Sequence, residues 1–286
     1  MTFAPLPPFG ALPVPSGVDV VGLPARVGTL SAFHATPDGD SRGTLLIVPG
    51  FTGSKEDFRD FLPLLAARGW NAWAYSQRGQ ADSAAPAGVA AYALDAFAFD
   101  AVEVAGLVGD GRPVHLLGHS FGGVVARAAA IASPASFLSL TMLCSGPHGW
   151  PGRHEDTTAT VAESGSIGLW YRDNPQTRGL ADDALTPELA FLRLRAARTA
   201  SDNLLAGAEI LRSEEDTTEA LRATGLPVLV AHGEHDDKWP IAAQRDMAER
   251  LGARYSVLAG GAHSPQLEAP EATLAALDAF LGAPGS

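Results

Sequence analysis

Between an apolar run at residues 114–117 and an alanine-rich stretch at 124–131 the chain reads Gly118-His119-Ser120-Phe121-Gly122-Gly123. A serine is thus framed two positions away on each side by glycine, where strand-like character gives way to helical character. That combination is the pattern of a nucleophile elbow, a sharp strand-to-helix turn that lifts a serine hydroxyl out of the fold. A hydroxyl is a weak nucleophile in water, so it needs such exposure, a neighbouring base and backbone donors for the charge that develops on an attacked carbonyl. Small residues at 118 and 122 let the strand and helix backbones approach. In a chain with 31 glycines the five-residue pattern alone also fits an ordinary glycine-rich turn with a solvated serine, so its neighbours must decide.

The neighbours alternate between strand and helix. Prolines at 5, 7, 8, 13 and 15 predict an extended arm over residues 1–16. A twisted strand pair is expected over 18–33 and a buried strand over 44–48, feeding the turn Pro49-Gly50-Phe51-Thr52-Gly53. Phe58, Phe61, Leu62 and Leu65 predict a helix over 56–68 with Ser54 as its cap, then a strand at 70–75 and a helix over 91–108. Another strand is expected at 137–144. From 147 to 226 strand-like runs are scarce and helical patterns gather near 186–222, which predicts an inserted helical cap with Gly146 and Gly225 as candidate hinges. Strands return at 227–231 and 255–258, with helices at 241–251 and 268–281. The fold class is therefore α/β, a mainly parallel central sheet with helices on both faces, its core formed by 1–146 and 227–286.

Charge and composition exclude several classes. The net charge is −12, and the 20 basic residues are scattered rather than gathered in a stripe, so nucleic acid is not an expected partner. No apolar run suggests a membrane span and no basic-then-apolar leader opens the chain, which leads to the expectation of a soluble, cytoplasmic protein. The single cysteine, Cys144, forbids an intramolecular disulfide and reads as a buried small hydrophobe. No paired-cysteine, His-Glu-x-x-His or calcium-loop pattern is present, so no metal is expected, although His232 and His235 beside Asp236 and Asp237 could imitate a cluster. Oligomeric state is left open.

A nucleophilic serine needs a base, and the base needs an acid that fixes its tautomer. Gly260-Gly261-Ala262-His263-Ser264-Pro265 lies between the last strand and last helix, which makes His263 the candidate base. Gly233-Glu234-His235-Asp236-Asp237-Lys238-Trp239-Pro240 follows the preceding strand and offers Asp236 as the acid, with Asp237 competing. His119 reads as packed at the elbow, and His115, His232 and His235 as structural. Trp150, Trp170, Tyr171 and Phe191 either pack the cap or line an acyl or alcohol pocket. Arg127 carries no functional argument.

The order Ser120, Asp236, His263, each on a loop after a strand, resembles the α/β-hydrolase superfamily with a cap. The resemblance spans about residues 28–282 and rests on the elbow, the G-x-x-D-x-x-x-P run from Gly233 and the G-x-x-H run from Gly260. It implies an α/β-hydrolase fold and an oxyanion hole formed by the backbone N–H groups of Phe51 and Phe121. Two departures stand out. Many relatives have His-Gly where this chain has Pro49-Gly50, and Ser76-Gln77-Arg78-Gly79-Gln80-Ala81-Asp82-Ser83 keeps only part of a D-x-R-G-x-G-x-S run, leaving that loop's geometry open.

What the resemblance implies is a cofactor-free serine hydrolase acting on a small acyl substrate, with carboxylic ester cleavage through an acyl-enzyme on Ser120 as the leading expectation. Carbon–carbon, lactone, amide or thioester hydrolysis and perhydrolysis use the same three residues. A serine rather than an aspartate at the elbow disfavours dehalogenase and epoxide chemistry. The alternative of another class is a small-ligand receptor that kept the pocket and lost turnover.

Overall fold

The computed structural model describes residues 2–282. Its strands are β1 (Ala4–Pro5), β2 (Val18–Ala25), β3 (Gly28–Ala35), β4 (Gly43–Val48), β5 (Trp70–Tyr75), β6 (Val114–His119), β7 (Phe137–Leu143), β8 (Val228–Gly233) and β9 (Arg254–Leu258). They form one sheet in the order β1-β2-β3-β5-β4-β6-β7-β8-β9. The β1–β2, β2–β3 and β3–β5 pairs are antiparallel and all later pairs parallel. The helices are α1 (Leu62–Ala67), α2 (Leu94–Val108), α3 (Phe121–Ala132), α4 (Glu155–Ser164), α5 (Ser166–Asp173), α6 (Pro187–Arg198), α7 (Ser201–Ser213), α8 (Thr218–Ala223), α9 (Ile241–Leu251), α10 (Pro265–Glu268) and α11 (Pro270–Leu281).

The period-2 geometry of a strand explains why the central ones are apolar throughout. Leu46 and Val48 of β4 and Leu116 of β6 join the apolar layer that includes α2 and α3. Leu45, Ile47 and Leu117, one residue out of phase, join the opposite layer with α1 and α11. Both faces are covered, as parallel strands require. The order also fixes where a ligand can sit: the chain leaves β4 toward β5 on one side and returns to β6 on the other, with Val48 beside Gly118. Such a switch point opens a crevice at the strands' carboxyl ends.

Four sequence expectations are amended. The helix expected over 56–68 is a short 3₁₀ turn at Lys55–Phe58 followed by α1, because Pro63 has no N–H and is tolerated only in a helix's first turn. The one expected over 91–108 begins at Leu94, after a 3₁₀ turn at Val89–Tyr92. The final helix is divided into α10 and α11 at Ala269 and Pro270. The amino-terminal arm is tied down rather than merely extended, since β1 pairs with β2 and the Phe3 ring meets Trp73 edge-on at 5.5 Å. Between β7 and β8 the chain is helical as expected, with α4 and α5 lying upstream of the patterns read from sequence. No helix among the described residues is long and apolar enough to cross a membrane.

Candidate active site

β6 delivers Ser120 at the carboxyl edge of the sheet in a conformation that a β-carbon disfavours, φ 55° and ψ −119°. Neither Gly118 nor Gly122 has positive φ. Their role is close approach: a Cβ at Gly118 would overlap the Gly122 carbonyl oxygen, and one at Gly122 that of Val48. The turn is held by the Ser120 N–H donating to Leu143 O and the Gly123 N–H donating to Ser120 O, each at 2.9 Å.

His263 reaches the serine from the loop between β9 and α10, its Nε2 2.9 Å from Ser120 Oγ and its Nδ1 2.8 Å from Asp236 Oδ1. A carboxylate only accepts, so Nδ1 carries the proton and Nε2 presents its lone pair to the serine O–H. The loop's own shape is set by Glu268, whose Oε2 accepts from the N–H groups of Ala262 (2.6 Å) and Ser264 (3.1 Å) on either side of the histidine.

The Asp236 side chain is fully buried. Besides His263, it accepts from the N–H groups of Lys238 (3.0 Å) and Trp239 (3.3 Å) and from the Gln244 amide (2.9 Å). Burial pushes its carboxyl up, but the His263 hydrogen bond and charge, with the Lys238 and Gln244 donors, outweigh burial and hold it below the usual range. Asp237, the competing acid, faces outward, pairs with Lys238 at 2.8 Å and makes no hydrogen bond to His263.

Phe51 follows β4 and Phe121 opens α3, so their N–H groups lie on the two flanks of the switch point. As the first residue of α3, Phe121 has no intrahelical acceptor for its N–H, and Phe51 N–H makes no backbone hydrogen bond among the described residues. The loop after β5 holds the Phe51 turn from behind. Gln77 Nε2 donates to Pro49 O at 2.9 Å and Gln80 Nε2 to Gly50 O at 2.8 Å, both from buried side chains. Gln77 and Gln80 stand at the variable positions of the D-x-R-G-x-G-x-S run, so its two departures, Ser76 and Ala81, leave this brace on the Phe51 turn in place.

His119 is packed at the elbow, as its sequence position suggested. Its Nε2 lies 2.7 Å from the His263 carbonyl, to which it donates. Complete burial, with the adjacent His263 charge, lowers it to about 4, so it stays neutral. His232 is buried against Tyr255 and His235 is exposed, so the suspected metal cluster does not assemble. Cys144, Asp236 and His263 do place donor atoms within 4.8 Å of one another. Two of these already bond each other, and burial raises the Cys144 thiol and keeps it protonated.

Ser120 and His263 open onto a cavity of about 670 Å³ between the sheet edge and the helices after β7, a size typical of small-molecule sites. Trp150 lines it. Trp170 instead lines an adjoining cavity of about 230 Å³, and its indole N–H donates to Thr177. Tyr171 lines neither and stacks with Arg178; Phe191 packs against Phe9. Arg127, without a functional argument in sequence, is fully buried and bonds the carbonyls of Gly146 (2.9 Å) and Pro147 (2.5 Å) and the Glu214 carboxylate (3.2 Å). It fastens the segment after β7 and the end of α7 to α3, a link between distant segments that no local pattern announces.

Over 118 residues the chain is 35% identical to the probable oxidoreductase EphD of Mycobacterium tuberculosis, covering 39% of this chain and 19% of that protein. It is 30% identical over 179 residues to 2-succinyl-6-hydroxy-2,4-cyclohexadiene-1-carboxylate synthase of an Enterobacter species, covering 58% of this chain and 66% of the relative. The chain thus spans about a fifth of the first of these relatives and just under two thirds of the second. Its fold is shared with a solved structure from a study of carboxylesterases of Nitrososphaera gargenis, at a TM-score of 0.73, 21% identity, and coverage of 91% of this chain and 97% of that one. A family model described as alpha/beta hydrolase family matches residues 45–277, from within β4 through all later strands and the three residues gathered at the sheet's edge, and the chain belongs to the alpha/beta hydrolase family.

Proposed function

We propose that the protein is a serine hydrolase that cleaves a carboxylic ester, with Ser120 as nucleophile, His263 as base and Asp236 as its orienting acid. The observation that carries this reading is the continuous Ser120–His263–Asp236 hydrogen-bond chain on a serine held at the elbow. Ser120 Oγ attacks the acyl carbon while its proton passes to His263 Nε2. The tetrahedral oxyanion is met by the N–H groups of Phe51 and Phe121, the latter at the positive end of α3. Collapse expels the alcohol, which takes the proton from His263, and leaves an acyl group on Ser120. A water then gives its proton to His263, attacks the acyl carbon and releases the acid and the free serine.

Helices α4–α7 form the cap over this chemistry, while α8 lies against α3 and α9 as part of the core. The 147–226 insertion thus comprises a covering part and a returning helix. Gly146, with its carbonyl held by Arg127 and its Cα flush against Trp239, is a fixed attachment in this reading rather than a hinge.

Intact mass after exposure to a fluorophosphonate tests the activated nucleophile. A single adduct on the natural chain that is absent from Ser120→Ala is the expected result. A folded natural chain that takes no adduct, or an adduct that persists in Ser120→Ala, overturns the assignment.

A further inference from the structure

The same cavity holds four cationic side chains, and three are already neutralised at close range: Arg172 by Asp173, Arg195 by Asp57 and Lys238 by Asp237. The fourth is Arg153, which has no carboxylate partner among the described residues. Its guanidinium sits in the angle between two nearly perpendicular indoles, 3.9 Å from the Trp150 ring centre and 4.0 Å from that of Trp239. One terminal nitrogen, Nη2, donates to the Lys238 carbonyl at 3.3 Å, while Nη1 is buried and makes no hydrogen bond.

An unpaired guanidinium held this way is costly. Burial lowers Arg153 to about 10, against the opposing pull of Asp236. Two indole faces offset part of that cost, but they satisfy none of the five N–H donors, which match a planar carboxylate in a fork. The position links the group to the chemistry. Lys238, whose carbonyl holds Arg153, donates its own N–H to Asp236, so the guanidinium is registered to the loop that orients His263.

We propose that Arg153 is a specificity-determining residue that binds a carboxylate on the substrate, so that the preferred substrates are esters carrying a free carboxylate on the arm that reaches Arg153. The inference deepens the serine hydrolase reading and, for turnover, rests on it. Trp150 and Trp239 set the plane of the fork, and the carboxylate takes the guanidinium edge that lines the cavity.

The test compares methyl half-esters of dicarboxylic acids, with two to five intervening methylenes, against their neutral carboxamide counterparts at constant ionic strength. In the natural protein, at least one half-ester is expected to exceed its amide in kcat/KM by about tenfold or more, the range of a charge-assisted hydrogen bond. Arg153→Met should collapse that ratio toward one, and Arg153→Lys, which keeps charge but not the fork, should restore part of it. No half-ester preference in the natural protein, or a ratio unmoved in Arg153→Met, overturns the proposal. Binding is read separately by titrating glutarate and glutaramide against the fluorescence of the two indoles that Arg153 touches. Saturable quenching by glutarate alone is expected, and equal responses or none overturn the carboxylate site. A serine that takes no fluorophosphonate, together with saturable glutarate quenching, would remove the hydrolase reading and leave the carboxylate site standing.

Discussion

His119 shows how one side chain beside the proposed nucleophile couples chemistry to stability. Its Nε2–H holds the His263 carbonyl, so it is a positioning residue for the proposed base, and burial keeps the ring neutral while it does so. An unfolded histidine titrates near 6.5, whereas burial lowers His119 to about 4 in the folded protein. Between those values the unfolded chain binds more protons, so stability rises with pH and is lost as pH falls. From pH 7 to pH 5 this single group should cost on the order of 2 kcal/mol. His115 and His154, also lowered to about 4 chiefly by burial, push the same way. Urea unfolding of the natural chain and of His119→Asn at the two pH values isolates the contribution. A pH effect smaller by about 2 kcal/mol in the variant is expected; equal effects in both would contradict the assignment.

The element that sharpens the site is the loop between β5 and the Val89–Tyr92 turn. Gln80 donates to Gly50 O at 2.8 Å, and its Oε1 accepts from the Gln77 N–H at 3.0 Å, so one amide joins two loops. That fixes the peptide ahead of Phe51, whose N–H is the proposed oxyanion donor. Removing an oxyanion donor outright typically costs about 10²-fold, and loosening one should cost a fraction of that. Gln80→Ala is expected to lower kcat for an ester about tenfold, with KM within about threefold, since the support matters most in the transition state. A rise in KM at unchanged kcat would place Gln80 in substrate binding and refute a role through Phe51.

At the scale of the whole molecule, the sheet order brings residues 120, 236 and 263 to one crevice, and much of this could be read from the sequence. Strand periodicity, the elbow and the order of the three loops located each member, because strands buried on both faces are continuously apolar and the turns between them are marked by glycine. What remained hidden depended on contacts between distant segments. The sequence offered Asp236 with Asp237 competing, and which of the two adjacent carboxylates faces inward is what the fold adds; Arg127 matters only once residues 146, 147 and 214 converge on it. Trp170 and Tyr171 offered the same aromatic signal as Trp150, but helix phase sends them elsewhere. The central claim is that the crevice hydrolyses esters through Ser120, and steady-state turnover of a methyl ester panel by the natural chain and Ser120→Ala addresses it most directly. The account predicts multiple turnovers by the natural chain and a loss of at least about 10³-fold in kcat for the variant; a variant within about tenfold of the natural chain would contradict it.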